Sequence, residues 1–209
     1  MTLCPHCGWD LQGKSESPVL ICRNCDSAWS FQVKDAQRVA FSVMKINGED
    51  TCCYLPFRRM KVRIEGIGLS SYADLIRPGN LPKAITENLK EKQLYFWSPA
   101  FKINPVHFLR LSRQMTIYQP EGESAAAFSK KAIHPVTVPA SEARESIVIT
   151  LASIVSAKRK LLPLLPAIRI AVDESLLEYH PFLINHNELV HARMKLAIDK
   201  TALSFGARL

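Results

Sequence analysis

Four cysteines in two pairs, Cys4-Pro5-His6-Cys7 and Cys22-Arg23-Asn24-Cys25, constrain the start of this chain more than any other feature. Two residues separate the members of each pair and fourteen lie between the pairs, just short of the C-x2-C-x15–20-C-x2-C zinc pattern. The spacing has a physical cause. A tight turn brings both sulfurs of a pair onto one ion at about 2.3 Å, and the amides that follow can donate to the thiolates. Gly8 suits the left-handed position such a turn requires, and Asp26, its counterpart after Cys25, tolerates it better than most residues. Cys4, Cys7, Cys22 and Cys25 are therefore expected to hold one structural Zn2+, since four thiolates leave no position for water or substrate. Iron in a redox role and a thiol redox pair are the other uses of such a set. His6 reads as a solvent-facing turn residue. Between the pairs, "DLQGKSESPVLI" reads as a polar hairpin tip entering a short strand, Val19 to Ile21, and Trp29 and Phe31 are placed to cover the metal knuckles.

Residues 3 to 33 resemble a zinc ribbon. Many ribbons bind nucleic acid, but phosphate affinity needs Lys and Arg, and residues 1 to 33 carry only Lys14 and Arg23 against Asp10, Glu16 and Asp26. The net charge of +8 lies elsewhere: residues 51 to 209 hold 22 Lys/Arg against 13 Asp/Glu. Candidate contacts for an anionic partner are Arg58, Arg59, Lys61 and Arg63 on one strand, with Lys158, Arg159 and Lys160 at a helix end.

With 209 residues, six cysteines and no apolar segment after Met1 to serve as an export signal, the chain is expected in the reducing cytoplasm. The longest apolar run, Ile147 to Val155, is too short to cross a bilayer. Adjacent Cys52 and Cys53 would point to opposite faces of a strand, so they make neither a shared metal site nor a good disulfide.

Beyond the cysteines, Lys34 to Ile46 alternates as a strand, and Asn47-Gly48 predicts a hairpin to a long strand in "TCCYLPFRRMKVRIEG", bent at Pro56. Tyr54-Leu55-Pro56-Phe57 recurs as Tyr179-His180-Pro181-Phe182, and more loosely around Pro99, which reads as two related β units whose strands bend as they leave a sheet. Helices are expected at Ser71 to Ile76, at Leu81 to Lys92, and from Pro105 with Asn104 as cap. The longest starts with Ser141 as cap and buries Ile147, Leu151, Ile154 and Val155. Tyr95, Phe96, Trp97 and Phe101 read as core on one face and partner contact on the other.

The expected class is α+β: a ribbon (1–33), then two mainly antiparallel β units with packed helices (34–120 and 134–209), joined by a bridging loop (118–139). His186 and His191 straddle a strand turn. No H-E-x-x-H, G-x-S-x-G, P-loop or G-x-G-x-x-G is present, so the chain is read as a non-enzyme. A ribbon followed by Tyr-Leu-Pro-Phe and later "YFWSPAFK" is similar to a group of bacterial proteins in which a zinc ribbon precedes a β-rich domain. That resemblance implies architecture, with no assigned activity and no catalytic residues. The expected function is zinc-stabilised docking onto a protein partner. The alternative is nucleic-acid binding through the basic body, and peripheral contact with anionic lipid is a third use of the same charge.

Overall fold

The structure is a computed structural model that describes residues 2–32, 35–46, 51–66, 69, 71–79, 92–128, 132–155 and 162–205. The expected helix from Leu81 and the cluster Lys158, Arg159, Lys160 lie outside the described residues, except for Lys92.

Near the amino terminus, β1 (Leu20–Cys22), β2 (Ser27–Ser30) and β3 (Gln37–Val39) form a small antiparallel sheet in that order. The α+β class holds for the rest. Among the described residues one sheet of eight strands collects β4 (Phe41–Met44), β5 (Cys52–Glu65), β6 (Tyr95–Pro99), β7 (Ser124–Ala125), β8 (Ala132–Ile133), β9 (Arg169–Asn185), β10 (Glu188–His191) and β11 (Ala197–Asp199). Helices α1 (Tyr72–Gly79), α2 (Pro105–Tyr118), α3 (Ala140–Ile154) and α4 (Lys200–Phe205) pack around it, with a 3-10 segment at Leu162–Ala167.

The strands of the two expected β units share this one sheet. β5 and β9 pair antiparallel from Cys52↔Leu183 to Glu65↔Arg169 and form its spine. The recurring motifs turn out to be partners: Tyr54 lies opposite Pro181, Leu55 opposite His180 and Pro56 opposite Tyr179. Both prolines sit inside the sheet, where neighbouring strands stop. In a strand the N–H and C=O of one residue point the same way. The Pro56 carbonyl accepts from Ala100 N, between the ends of β8 and β6; that of Pro181 accepts from Ala192 N, just past the end of β10. Neither position requires the donor that proline lacks.

Three expectations are corrected. β4 pairs parallel with β9 and antiparallel with β7, not as a hairpin with β5, because its apolar Val43 belongs with Leu177 and Tyr179 of β9. The bridge 118–139 contains β7 and β8, and Thr137 and Val138 both donate to the Ala100 carbonyl, so it is built into the sheet rather than looped out. α3 starts at Ala140 with Pro139 in the cap position and no side-chain cap, which leaves Ser141 inside the first turn. The α2 start is as expected, with Asn104 Oδ1 accepting from Val106 N at 2.9 Å and Pro105 in the first turn.

Residues opposite each other in an antiparallel ladder share a face. On one face Tyr54 and Tyr179 meet Val19, Ile21 and Ala28 of the cysteine module, while Met60, Val62 and Ile64 meet Leu75 of α1 and Ile147 and Leu151 of α3. On the other, Leu55, Phe57, Trp97 and Phe182 pack with Leu111 and Met115 of α2 and with Leu189 and Ile198. α2 also closes the free edge of β6: Thr116 Oγ1 accepts from Trp97 N at 3.0 Å, and Gln119 Nε2 donates to the Tyr95 carbonyl. An edge strand left with unpaired amides is a template for aggregation, and these side chains occupy it.

Candidate functional site

The two expected knuckles form as the spacing requires. Gly8 has φ +73° and Asp26 φ +47°, so both post-cysteine positions are left-handed. The four sulfurs of Cys4, Cys7, Cys22 and Cys25 all lie within 4.8 Å of one another, with Cys4–Cys25 at 3.6 Å and Cys7–Cys22 at 3.5 Å. A tetrahedron with metal–sulfur bonds of about 2.3 Å has edges of about 3.8 Å, so the cluster fits a single ion. These residues are positioned to bind a metal.

The surroundings of the thiols also point to a cation. Burial raises the Cys4 thiol, but amides of Cys7 and His6 and the Ser27 hydroxyl bring it down to about 6. The Asn24 side-chain amide, 3.6 Å from Cys7 Sγ, leads in lowering Cys7. Cys22 is raised by burial. Cys25 gains the Ser27 hydroxyl at 3.0 Å, yet burial and the neighbouring sulfurs push it up to about 12. Neighbouring sulfurs thus oppose ionisation of Cys22 and Cys25, and a bound cation lifts that opposition.

Sequence spacing missed the supporting residues. Ser27 Oγ accepts from Trp29 Nε1 at 2.8 Å and lies beside Cys25 and Cys4, so the tryptophan orients the hydroxyl that steadies the sulfurs. Phe31 does not join it: 41% exposed, it lines a groove with Pro18 and Leu20. Asp26 has a role that a glycine there could not fill, because its Oδ1 accepts from Phe128 N at 2.8 Å and ties the second knuckle to the body. Phe128 stacks on Phe41 at 4.2 Å, and both rings meet Tyr179 edge-on. The small hydrophilic run "DS" after Cys25 was the available signal.

The four β5 cations have separate settings. Arg59 meets Glu178 at 3.0 Å and lies 4.7 Å from the centre of the Tyr95 ring. Lys61 faces Glu174 at 3.5 Å. A bulge between Lys61 and Val62 sets Asp173 out of register, where Arg63 holds it through bonds of 2.8 Å and keeps its carboxyl below the usual range. Arg58 is different: it is only 6% exposed, and its Nε has no hydrogen-bond partner among the described residues. The four therefore do not converge on one open face. Of the aromatic group, Phe96, Trp97 and Phe101 are fully buried, and half-buried Tyr95 lies under Arg59.

Two other constellations are present. The amides of Arg193 and Met194 donate to His191 Nδ1 at 3.2 and 3.1 Å, which places the His191 proton on Nε2. That nitrogen is 3.0 Å from His180 Nδ1, leaving the His180 Nε2–H towards Glu178 Oε2 at 3.4 Å, close enough for attraction but outside hydrogen-bond geometry. Burial lowers both imidazoles, His191 to about 3, so both are neutral. The pair reads as a buried polar network. The second is a groove of about 590 Å3 between α2 and α3, with Ile103, Phe108, Leu109, Val138 and Ile149 lining it, Glu142 and Glu145 on one lip and Lys102 on the other. Ile149 is 61% exposed here.

Among the described residues no helix is long and apolar enough to cross a membrane. Comparison with known protein families, with curated proteins and with solved structures finds no match to this chain.

Proposed function

We propose that this protein is a non-enzymatic interaction protein, with one structural zinc in the cysteine module and a docking groove between α2 and α3 for an amphipathic helix of a protein partner. The observation that carries the reading is the groove. Its apolar lining, with Ile149 largely exposed, suits the apolar face of a helix, and Glu142 and Glu145 suit a flank of Lys or Arg. Zinc is the ion favoured by four sulfurs in a closed tetrahedron. A four-thiol cluster placed to hold a metal supports a reducing compartment, the cytoplasm.

The nucleic-acid alternative draws on the net charge of +8. Three of its four candidate residues on β5 already face carboxylates, and the fourth is buried, which favours the groove. A peripheral lipid contact would draw on the same cations.

A photo-crosslinking residue at Ile149 in the native cell tests the proposal. The expected adduct maps to one partner segment with apolar residues at helical spacing and basic flanks, and Glu142→Lys with Glu145→Lys weakens a peptide of that segment about tenfold or more. Equal yields from a control at Asn187, or adducts to nucleic acid, would overturn it.

A further inference from the structure

Strand β9 is covered unevenly. β5 runs along one side of it from Arg169 to Leu183, while on the other side β4 reaches only Leu177 to Tyr179 and β10 only Phe182 to Asn185. From Arg169 to Leu176 that second side has no strand partner among the described residues. The ladder with β5 fixes which groups face the gap. Val62 N donates to the Leu94 carbonyl on the far side of β5, so Val62 and Val172 are a pair without mutual bonds, and the N–H and C=O of Val172 also point away from β5. Ile64 and Ile170, two residues on, repeat this. The open edge therefore presents a donor and an acceptor at both Ile170 and Val172.

The side chains along this edge suit one kind of strand. Ile170 and Val172 are half-buried and pack with Met60, Ile64 and Leu151 on the face under α1 and α3. On the opposite face Arg169, Ala171 and Asp173 are exposed. Ala171 lies opposite Arg63, which bonds Asp173, and Arg169 has no carboxylate partner among the described residues. Edges are commonly blunted by charges of one sign or by a bulge. Here the bulge at Asp173 limits the length of the open stretch, and the charges on it are of both signs.

We propose that this edge pairs with the same edge of a second copy of the chain, antiparallel about a two-fold axis at Ala171. That register sets Ile170 opposite the partner's Val172, so their outward groups exchange two bonds on each side of the axis. It sets Arg169 opposite the partner's Asp173, which keeps its bond to Arg63, while Ala171 meets the partner's Ala171 with no bulk between the strands. The neighbouring registers that still match outward groups set Arg169 against the partner's Ala171 or the partner's Ser175, so charge selects the axis. A one-residue slip would turn the apolar pair to the wrong face. The edge is separate from the groove between α2 and α3, and the proposal does not rest on a helix docking there.

Sedimentation equilibrium of the metal-loaded full chain across a range of concentrations tests this, with a mean mass expected to rise from one chain towards two. Val172→Pro removes an outward donor and leaves the bonds to β5 in place, so it should fold like the parent and dimerise about tenfold more weakly or worse. Charge tests the register without a proline. Arg169→Asp and Asp173→Arg chains each set like charges opposite one another and should stay monomeric alone, yet form a mixed dimer when combined. A parent that stays monomeric at every concentration, as when the edge serves a segment of another protein, would overturn the proposal, and so would a dimer indifferent to these substitutions.

Discussion

At the scale of single residues, the cysteine module depends on contacts beyond its four sulfurs. Cys22→Ser should reduce metal content, measured by elemental analysis, from about one ion per chain to none and unfold the module. Asp26→Ala should leave the metal in place while costing about 1 kcal/mol, because it removes the bond to Phe128 N that ties knuckle to body. The buried imidazoles make a separate prediction. His191 has a pKa near 3 when folded and an ordinary value of 6.5. Between those values the unfolded chain takes up a proton that the folded one refuses, so stability rises with pH and is lost on acidification below about 6.5. The slope is about 1.4 kcal/mol per pH unit for such a group, and His180, displaced in the same direction, adds to it. His191→Asn, which keeps an acceptor for the amides of Arg193 and Met194, should flatten the pH dependence of the urea midpoint; an unchanged slope would assign it to other groups.

At the scale of elements, legibility followed the reach of the signal. The knuckle turns, β5 and the capped start of α2 are local, and Gly8, the β-rich run from Cys52 and Asn104-Pro105 announced them. Pairing is not local. Asn47-Gly48 pointed β4 towards β5, but the partner lies more than 130 residues along the chain, where Leu177 and Tyr179 offer the matching apolar face. The repeat around Pro56 and Pro181 was visible as similarity, while its meaning, two strands that mate, needed three dimensions. The metal site was likewise legible in its ligands. Because the Pro56 nitrogen faces a gap between neighbouring strands, Pro56→Ala should leave the sheet intact and cost about 0.4–1 kcal/mol through the unfolded chain. Thr116→Val should cost more, about 1–3 kcal/mol, because it orphans the buried Trp97 amide. Equilibrium urea unfolding of the two variants checks the order.

At the scale of the whole molecule, the spine defines what can stand alone. β5 and β9 bury Leu55, Phe57, Leu177 and Phe182 together, so neither half of the chain closes its core without the other. Fragments 1–120 and 121–209 made separately should be insoluble, and made together should yield a soluble complex. Soluble, folded fragments made alone would show two independent units. The same spine sets a timetable during synthesis. The module has its four ligands and its small sheet within the first 39 residues and can take up metal as soon as they emerge. β5 follows at once, but its mate ends at Asn185, some 120 residues later, a wait on the order of ten seconds at about 5–20 residues per second. For that interval β6 can claim one edge of β5, while the edge meant for β9 waits at the ribosome with Leu55 and Phe57 beside it.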